Sequence, residues 1–148
     1  MATLIEYKKA GLKYERLEEF EAGMELFGPE VKALKGKQGS LEGAQVVVRG
    51  GEAYVVGMSI PPYQSGNTPK GYDPERARRL LLKKDQIRTL FTAESIRGLT
   101  IVPIEVYTKD RLIKLRIAVV RIKVSADRRE DLKKRDAARE ARRILKSR

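Results

Sequence analysis

The stretch "LIKLRIAVVRIKV", Leu112 to Val124, indicates the fold most directly. Apolar and basic residues alternate along its first half, with Ile113, Leu115, Ile117 and Val119 in one set and Lys114 and Arg116 in the other. A period of two is typical of a β-strand that buries one face. The stretch therefore predicts a long strand that lines a core on one side and carries positive charge on the other.

Similar patterns predict further strands on either side of it. "EFEAGMEL" (Glu19 to Leu26) alternates apolar residues with glutamates, and Gly23 within it indicates a bulge or a bend. "AQVVVRGGEAYVVGM" (Ala44 to Met58) has two apolar runs around a Gly-Gly pair, which is the pattern of a β-hairpin. "GLTIVPIEVY" (Gly98 to Tyr107) is strand-like, but Pro103 indicates an edge or a bulge.

Short helices connect these five or six strands. "GPEVKALKGK" (Gly28 to Lys37) has a proline near its start and a glycine near its end, as helices often do. "KKDQIRTLFTAES" (Lys83 to Ser95) spaces Ile87, Leu90 and Phe91 for one helix face. In a chain this short, closing the sheet is the usual way to protect edge strands. We therefore predict a mainly β protein, a small closed antiparallel barrel with short accessory helices.

The amino-acid composition excludes several classes of function. The 148 residues include no cysteine and no histidine, which excludes disulfides and thiolate metal sites and removes the commonest general base. We therefore expect a protein that is not an enzyme and uses no metal, cofactor or small-molecule substrate. No apolar run approaches the ~20 residues of a membrane span, and the start lacks the pattern of a signal peptide. We expect a cytoplasmic protein without a membrane partner.

The charge points to a polyanionic partner. With 32 Lys and Arg against 20 Asp and Glu, the net charge is +12, which favours nucleic acid. From Asp127 to Arg148, ten cations oppose five acids, so both the body and the tail are basic. Trp is absent and Phe is scarce, so the aromatic face of a membrane-surface helix is missing.

Three parts follow from the pattern along the chain. Residues 1–13 show no period and are predicted to be a flexible N-terminal segment, residues 14–125 an RNA-binding β-barrel domain, and residues 126–148 a basic C-terminal tail. The tail consists of good helix formers, but its apolar face is thin, so a lone helix would be marginal in water. The tail is predicted to be helical or disordered. One interpretation is a solvated or frayed terminus, and the other is a segment that becomes ordered on a phosphate backbone.

The basic segment "YDPERARRLLLKKDQ", Tyr72 to Gln86, is the strongest functional signal in the body. It has five cations, Arg76, Arg78, Arg79, Lys83 and Lys84, around Leu80 to Leu82. The plain interpretation is a core element with solvated flanks. The sharper one is an element whose leucines enter the core and whose cations neutralise phosphates. These cations adjoin a Pro- and Gly-rich loop that bears Tyr63 and Tyr72. Tyrosines among arginines suit stacking on unpaired bases.

One carboxylate is a further candidate. Along a strand, Glu19 and Glu21 share a face, and a solvated face is the ordinary interpretation of such a pair. Glu21 is also suited to accept hydrogen bonds from a base edge or from ribose hydroxyls.

With these residues in view, the chain resembles the SmpB family. The matching segments, in the family's order, are "FEAGMELFGPEVKALKGKQGSL", "GEAYVVGMSIPPY", "YDPERARRLLLKK", "GLTIVPIEVYTKDRLIKLRIAV" and "DRRE". The resemblance implies an OB-fold-type barrel that binds the tRNA-like domain of transfer-messenger RNA (tmRNA) and rescues stalled ribosomes without catalysis. It also implies three further partners: the ribosomal decoding site, the messenger channel along which the tail forms a helix, and elongation factor Tu with the alanylated tmRNA.

The resemblance also adds site residues. It implies RNA contacts for Glu21, Lys32, Lys35, Arg79, Leu80, Leu81, Leu82 and Lys83, beside the Arg76, Arg78, Lys84 and Tyr63 of the basic segment and its loop. In the tail, Asp127, Arg128 and Arg129 match the family's opening triplet. The other tail cations expected to contact the ribosome are Lys133, Lys134, Arg135, Arg139, Arg142 and Arg143.

Two segments depart from the family's pattern. "AGLKY" (Ala10 to Tyr14) lacks a usual histidine and arginine. Residues 122–126 predict an apolar strand that continues where the family usually has a glycine. Two alternatives to the family's function remain. One is a general small-barrel protein that binds structured RNA or the ribosome without tmRNA specificity. The other is an RNA-processing enzyme that uses carboxylates and a divalent metal.

Overall fold

A computed structural model describes residues 2–63 and 70–123, and within them the chain forms one antiparallel sheet and three short helices. The strands are β1 (Ala2–Glu6), β2 (Tyr14–Met24), β3 (Gln45–Arg49), β4 (Glu52–Val56), β5 (Arg78–Leu81), β6 (Leu99–Lys109) and β7 (Leu112–Ile122). The helices are α1 (Ala10–Lys13), α2 (Gly28–Lys35) and α3 (Lys84–Ser95). The strand order is β1-β6-β7-β2-β5-β4-β3. The mainly β prediction is confirmed.

The predicted long strand lies in the middle of the sheet. β7 pairs with β6 on one side and with β2 on the other, and it buries Leu115 and Ile117 completely. Asp110 and Arg111 make the turn into it at φ 51° and 66°, the left-handed conformation that a two-residue hairpin requires at both positions. The strand ends at Ile122, but the next amide still donates to the Lys13 carbonyl at 2.9 Å.

The prediction of a closed barrel is not confirmed. In the described residues the sheet is open, with β1 and β3 as its edges. α3 packs against both β3 and β6, and these two strands approach each other without forming a hydrogen-bonded ladder. Glu94 of α3 accepts a hydrogen bond from the Val48 amide of β3 at 2.8 Å. This side chain therefore satisfies an edge-strand donor that a neighbouring strand would satisfy in a barrel.

Bulges and glycines adjust the sheet in ways that the sequence indicated only in part. The register of β6 shifts between Pro103 and Glu105, which confirms the bulge predicted there. In β2 the shift falls between Arg16 and Glu18 instead of at Gly23. Gly23 lies where β5 takes over from β7 as the partner of β2. A Cβ on Gly23 would lie 3.3 Å from the Leu81 side chain, so its absence allows β5 to approach.

Residues 2–13 are more regular than their sequence suggests. β1 pairs with β6 through contacts about a hundred residues apart in the chain, and the Tyr7 amide donates to the Ile104 carbonyl at 2.8 Å. Tyr7 and Ala10 are buried in the core. A short segment that depends on so distant a partner leaves little local periodicity. No helix in the described ranges is long and apolar enough to span a membrane.

Candidate RNA-binding surface

The basic segment divides into two parts with opposite surroundings. β5 alternates its side chains, so Arg78 and Leu80 point into the protein while Arg79 and Leu81 point out. The inward part joins a set of buried polar groups that we name the Glu30 network, formed by Glu30, Tyr72, Arg76 and Arg78. The outward part lines a surface groove between β5 and α3, which we name the β5–α3 groove.

Glu30 is the centre of the buried part. It is the third residue of α2, and its carboxylate accepts a hydrogen bond from the Phe27 amide at 2.8 Å, which caps the helix start. It also accepts from Arg78 Nε at 2.8 Å and from Arg76 Nε at 3.1 Å. The residue is 1% exposed. Burial alone would raise the pKa of Glu30, but the hydrogen bonds from Arg76, Phe27 and Arg78 hold it below the usual range.

Arg78 stabilises the fold and is too deeply buried to contact RNA. It is 0% exposed, and beyond Glu30 its guanidinium donates only to groups of the protein. These acceptors are the carbonyls of Met58 (2.8 Å), Pro74 (2.9 Å) and Arg76 (3.1 Å) and the Tyr72 hydroxyl (3.1 Å). A fully buried, fully bonded guanidinium cannot reach a phosphate. The sequence-based assignment of Arg78 to RNA contact is therefore corrected to a structural role.

Arg76 and Tyr72 are largely committed to the same network. The Arg76 guanidinium lies 4.0 Å from the centre of the Phe27 ring and forms an ion pair with Glu30. The Tyr72 hydroxyl lies 2.8 Å from the Ile60 carbonyl oxygen and 3.0 Å from a Glu30 oxygen. Burial and then the contact with Glu30 raise the pKa of Tyr72. Tyr72 is thus held inside the fold, not offered as a stacking surface, and only a part of Arg76 faces solvent.

The β5–α3 groove brings together most of the other predicted RNA-binding residues. Its volume is about 600 Å³. Its lining includes Glu21, Arg79, Leu80, Leu81, Leu82, Lys83 and Lys84. Leu80 is 1% exposed, so the RNA contact that the resemblance implies for it is corrected to a core position. Leu81 is 47% exposed. Among residues 2–63 and 70–123, the ammonium groups of Lys83 and Lys84 form no ion pair, so their charge is available to a ligand.

Arg79 is only partly neutralised within the groove. Its Nε lies 3.4 Å from a Glu25 oxygen and 3.7 Å from a Glu52 oxygen, and its side chain is 40% exposed. That Nε is buried and makes no hydrogen bond inside the described ranges. Exposed ion pairs of this length contribute little, so Arg79 keeps the capacity to bind a phosphate.

Glu21 lies at one end of the groove and is held there by β6. Its carboxylate accepts a short hydrogen bond from the Tyr107 hydroxyl, and Lys109 Nζ lies 3.4 Å from both oxygens. The Tyr107 hydrogen bond and the charge of Lys109 lower the pKa of Glu21. Burial and the same hydrogen bond raise the pKa of Tyr107 to about 12. Glu21 therefore presents an ionised, oriented acceptor to the groove.

Sequence reasoning missed Tyr107 and Lys109. Both lie on a different strand from Glu21, and only the pairing of β6 with β7 and of β7 with β2 brings them across. The signal available was the alternation of β6, which puts residues 105, 107 and 109 on one face. Next to them, Arg116 stacks on Tyr107 at 5.0 Å and donates to Glu105 at 2.9 Å. This sheet face is thus a connected polar layer.

The remaining predicted site residues lie elsewhere. Lys32 and Lys35 are exposed on α2 and are absent from the groove lining, and Tyr63 is 42% exposed at the end of the first described range. The predicted tail residues, Asp127 to Arg143, lie outside the described residues. Within the described part of the chain, no three Asp or Glu side chains are grouped as they would be at a metal site.

Comparison with known proteins gives one consistent result. A family model described as "SmpB protein" matches residues 4–147. The SsrA-binding protein of Oleidesulfovibrio alaskensis is 44% identical over 144 residues, which cover 97% of this chain and 92% of that protein. The SsrA-binding protein of Thermosipho africanus is 41% identical over 147 residues, covering 99% and 98%. A solved chain from "tmRNA-SmpB: a journey to the center of the bacterial ribosome" matches with a TM-score of 0.70 and 36% identity, covering 93% of this chain and 96% of that one.

Proposed function

This chain belongs to the SmpB family, and we propose that it binds the tRNA-like domain of tmRNA and acts with that RNA on stalled ribosomes. The observation that carries the proposal in the molecule is the β5–α3 groove, which gathers exposed cations, an exposed leucine and an ionised acceptor. These are the groups that a folded RNA with unpaired nucleotides requires.

The groove recognises RNA by three kinds of contact. Lys83, Lys84 and Arg79 neutralise phosphates and set the salt dependence of binding. Leu81 provides an apolar contact for a base or a ribose. Glu21, oriented by Tyr107, accepts hydrogen bonds from a base edge or from 2′-hydroxyls, which helps to distinguish this RNA from others.

The open sheet of the described residues, with α3 packed against β3 and β6, supports a divergent OB-type fold, a fold whose sheet face binds oligonucleotides. The exposed lysines of α2, Lys32 and Lys35, extend the basic surface beyond the groove. Tyr63 offers an exposed ring for stacking at the start of the Pro- and Gly-rich loop. We propose these residues as secondary RNA contacts.

The tail is proposed to serve the ribosome rather than the tRNA-like domain. Its ten cations suit the phosphate-rich surroundings of the decoding site and the messenger channel. Elongation factor Tu is proposed as the partner that arrives with the alanylated tmRNA. In all of these contacts the chain acts as a binding adaptor, and no chemical step is assigned to it.

A general RNA-binding protein is the less favoured alternative. The relatives that match nearly full length are SsrA-binding proteins, which favours a dedicated RNA partner. The proposal is tested by measuring the affinity of the full chain for the tRNA-like domain of tmRNA, with elongator tRNA as competitor. We expect tight binding that elongator tRNA displaces only at large excess. Equal displacement by both RNAs would support the general RNA-binding protein instead.

A further inference from the structure

A second cavity lies beside the β5–α3 groove, and of the residues that line it only Lys84 is assigned a contact above. It is a slot of about 380 Å³ between the β3–β4 hairpin and the first half of α3. The residues that shape it are Gly50, Gly51, Lys84, Ile87, Arg88 and Phe91. The four helix residues follow the spacing i, i+3, i+4 and i+7, so they form one face of α3.

The interior of the slot is apolar and open. Ile87 is 9% exposed and forms its floor, whereas the Phe91 ring stands free at 62% exposure. On the opposite side, Gly50 and Gly51 turn the hairpin at φ 60° and 79°, and a Cβ at either position would meet no atom within 4 Å. The sequence predicts Phe91 on one helix face with Ile87 and Leu90. In the structure Ile87 and Leu90 are buried, whereas the Phe91 ring is largely exposed at the border of that face.

The rim of the slot is positively charged. Lys84 and Arg88 are exposed and one helical turn apart, and neither forms an ion pair within the described ranges. Like charges at this spacing repel each other slightly and destabilise a helix. An anionic ligand between them would remove that repulsion. The slot therefore combines an aromatic wall with two unneutralised cations.

The slot continues from the groove. Gly51, Lys84 and Ile87 line both cavities. A single-stranded RNA segment that follows the groove would therefore pass Lys84 and reach Phe91 while it stays on the protein surface. An apolar space with cations at its mouth suits an aromatic ring that has phosphates nearby on either side. An RNA nucleotide fits this description, because its base is joined to a ribose that is flanked by two phosphates.

We propose that the slot holds one unpaired base of the RNA bound in the β5–α3 groove, stacked on Phe91, with its flanking phosphates at Lys84 and Arg88. This inference rests on the proposed function and adds a site to it. An acidic peptide is the other ligand class that could enter such a slot. The continuity with the groove favours the RNA.

The test compares side chains at position 91 in the full-length protein. The equilibrium Kd for the tRNA-like domain is measured at several KCl concentrations for wild type, Phe91→Ala, Phe91→Leu and Phe91→Trp. Leu12→Ala is the matched control, because Leu12 is 82% exposed on α1, near the other end of β2 from Glu21. Thermal unfolding of each variant checks that the fold is retained.

The expected result depends on aromaticity, not on apolar volume. Phe91→Ala and Phe91→Leu should each raise the Kd by about 5- to 100-fold, the effect of losing one stacked base. Phe91→Trp and Leu12→Ala should bind within about 2-fold of wild type. The slope of log Kd against log salt should not change at position 91, whereas Arg88→Ala should reduce it by about one.

Three other outcomes would overturn the inference. If Phe91→Leu binds like wild type while Phe91→Ala does not, the ring serves as apolar volume and no base stacks on it. If both bind like wild type, the slot is free for a ligand other than this RNA, such as the acidic peptide. In both cases wild-type binding shows that the proposed function stands. If wild type itself fails to bind the tRNA-like domain, the proposed function fails and this inference fails with it.

Discussion

Arg78 and Lys84 are six residues apart in one basic segment, yet their surroundings are opposite. Arg78 is buried and donates hydrogen bonds only to groups of the protein, while Lys84 is exposed and forms no ion pair in the described ranges. The difference shows that local charge density does not identify a ligand-binding residue. For a residue of β5 the side of the strand on which it lies is decisive, because a polar group that points inward must be satisfied by the protein itself, whereas Lys84 lies beyond the strand at the exposed start of α3.

The two regions also differ in what each cation does for the molecule. The Glu30 network connects α2, the loop before β5 and β5 itself through one carboxylate. It therefore holds the strand whose outer face lines the groove. The groove cations contribute nothing comparable to the fold, and we propose that their contribution appears only when RNA binds.

The sharpest way to break this comparison is the variant Arg78→Ala. It removes the fully buried one of the two arginines that bind Glu30, and removing one member of a buried ion pair costs about 3–5 kcal/mol. We expect the free energy of unfolding, measured by urea denaturation, to fall by that amount. Arg97→Ala is the control, since Arg97 is exposed, and it should change stability by less than about 0.5 kcal/mol. A small loss for Arg78→Ala would mean that the network does not support the fold.

A second prediction concerns the pH dependence of stability. The pKa of Glu30 is lowered in the folded protein, so its ionised form contributes stability above the ordinary value of 4.5. That contribution should disappear as the pH falls below 4.5 and through the lower folded pKa. Glu30→Gln should cost about 1–3 kcal/mol at pH 7, because it weakens hydrogen bonds to two arginines.

The test is urea denaturation of both proteins between pH 7 and pH 3. The difference in stability between wild type and Glu30→Gln should shrink as the pH falls. A constant difference across the range would show that the charge of Glu30 is not what stabilises the network.

The smallest expected effect sharpens the groove side of the comparison. Tyr107→Phe removes the hydroxyl that orients Glu21, so the pKa of Glu21 should rise toward its ordinary value. One hydrogen bond contributes about 0.5–1.5 kcal/mol, so the RNA Kd should rise by about 2- to 10-fold. NMR titration of the Glu21 carboxyl and a binding assay at pH 7 measure the two effects. Tyr54→Phe is the control. If it changed the Glu21 pKa and the RNA Kd as much as Tyr107→Phe does, Tyr107 would have no specific role in orienting Glu21.

Much of the fold could be predicted from local patterns. The alternation in β7, the Gly-Gly hairpin between β3 and β4, the proline and glycine that bound α2, and the bulge at Pro103 all depend on neighbouring residues. Such features leave a period or a turn signal in the sequence. The open sheet and β1 depend on contacts between distant segments, and local periodicity does not record them.

The sequence predicted many of the residues of the candidate site but not which of them face the ligand and which support the fold. The sequence identified Arg79, Lys83 and Lys84 of the basic segment and Glu21 of β2, which line the same groove. It did not separate Arg78 from Lys83, because both look like surface cations until the phase of a four-residue strand is known. It did not find Tyr107, because the hydrogen bond to Glu21 spans 86 positions.

The measurement that tests the central claim most directly is the salt dependence of binding to the tRNA-like domain for wild type and for Lys83→Ala/Lys84→Ala. If these lysines neutralise phosphates, the slope of log Kd against log salt should become shallower by about two, while the free energy of unfolding stays within about 0.5 kcal/mol of wild type. An unchanged slope, or a loss of stability like that expected for Arg78→Ala, would contradict the division of the segment into a structural part and an RNA-binding part.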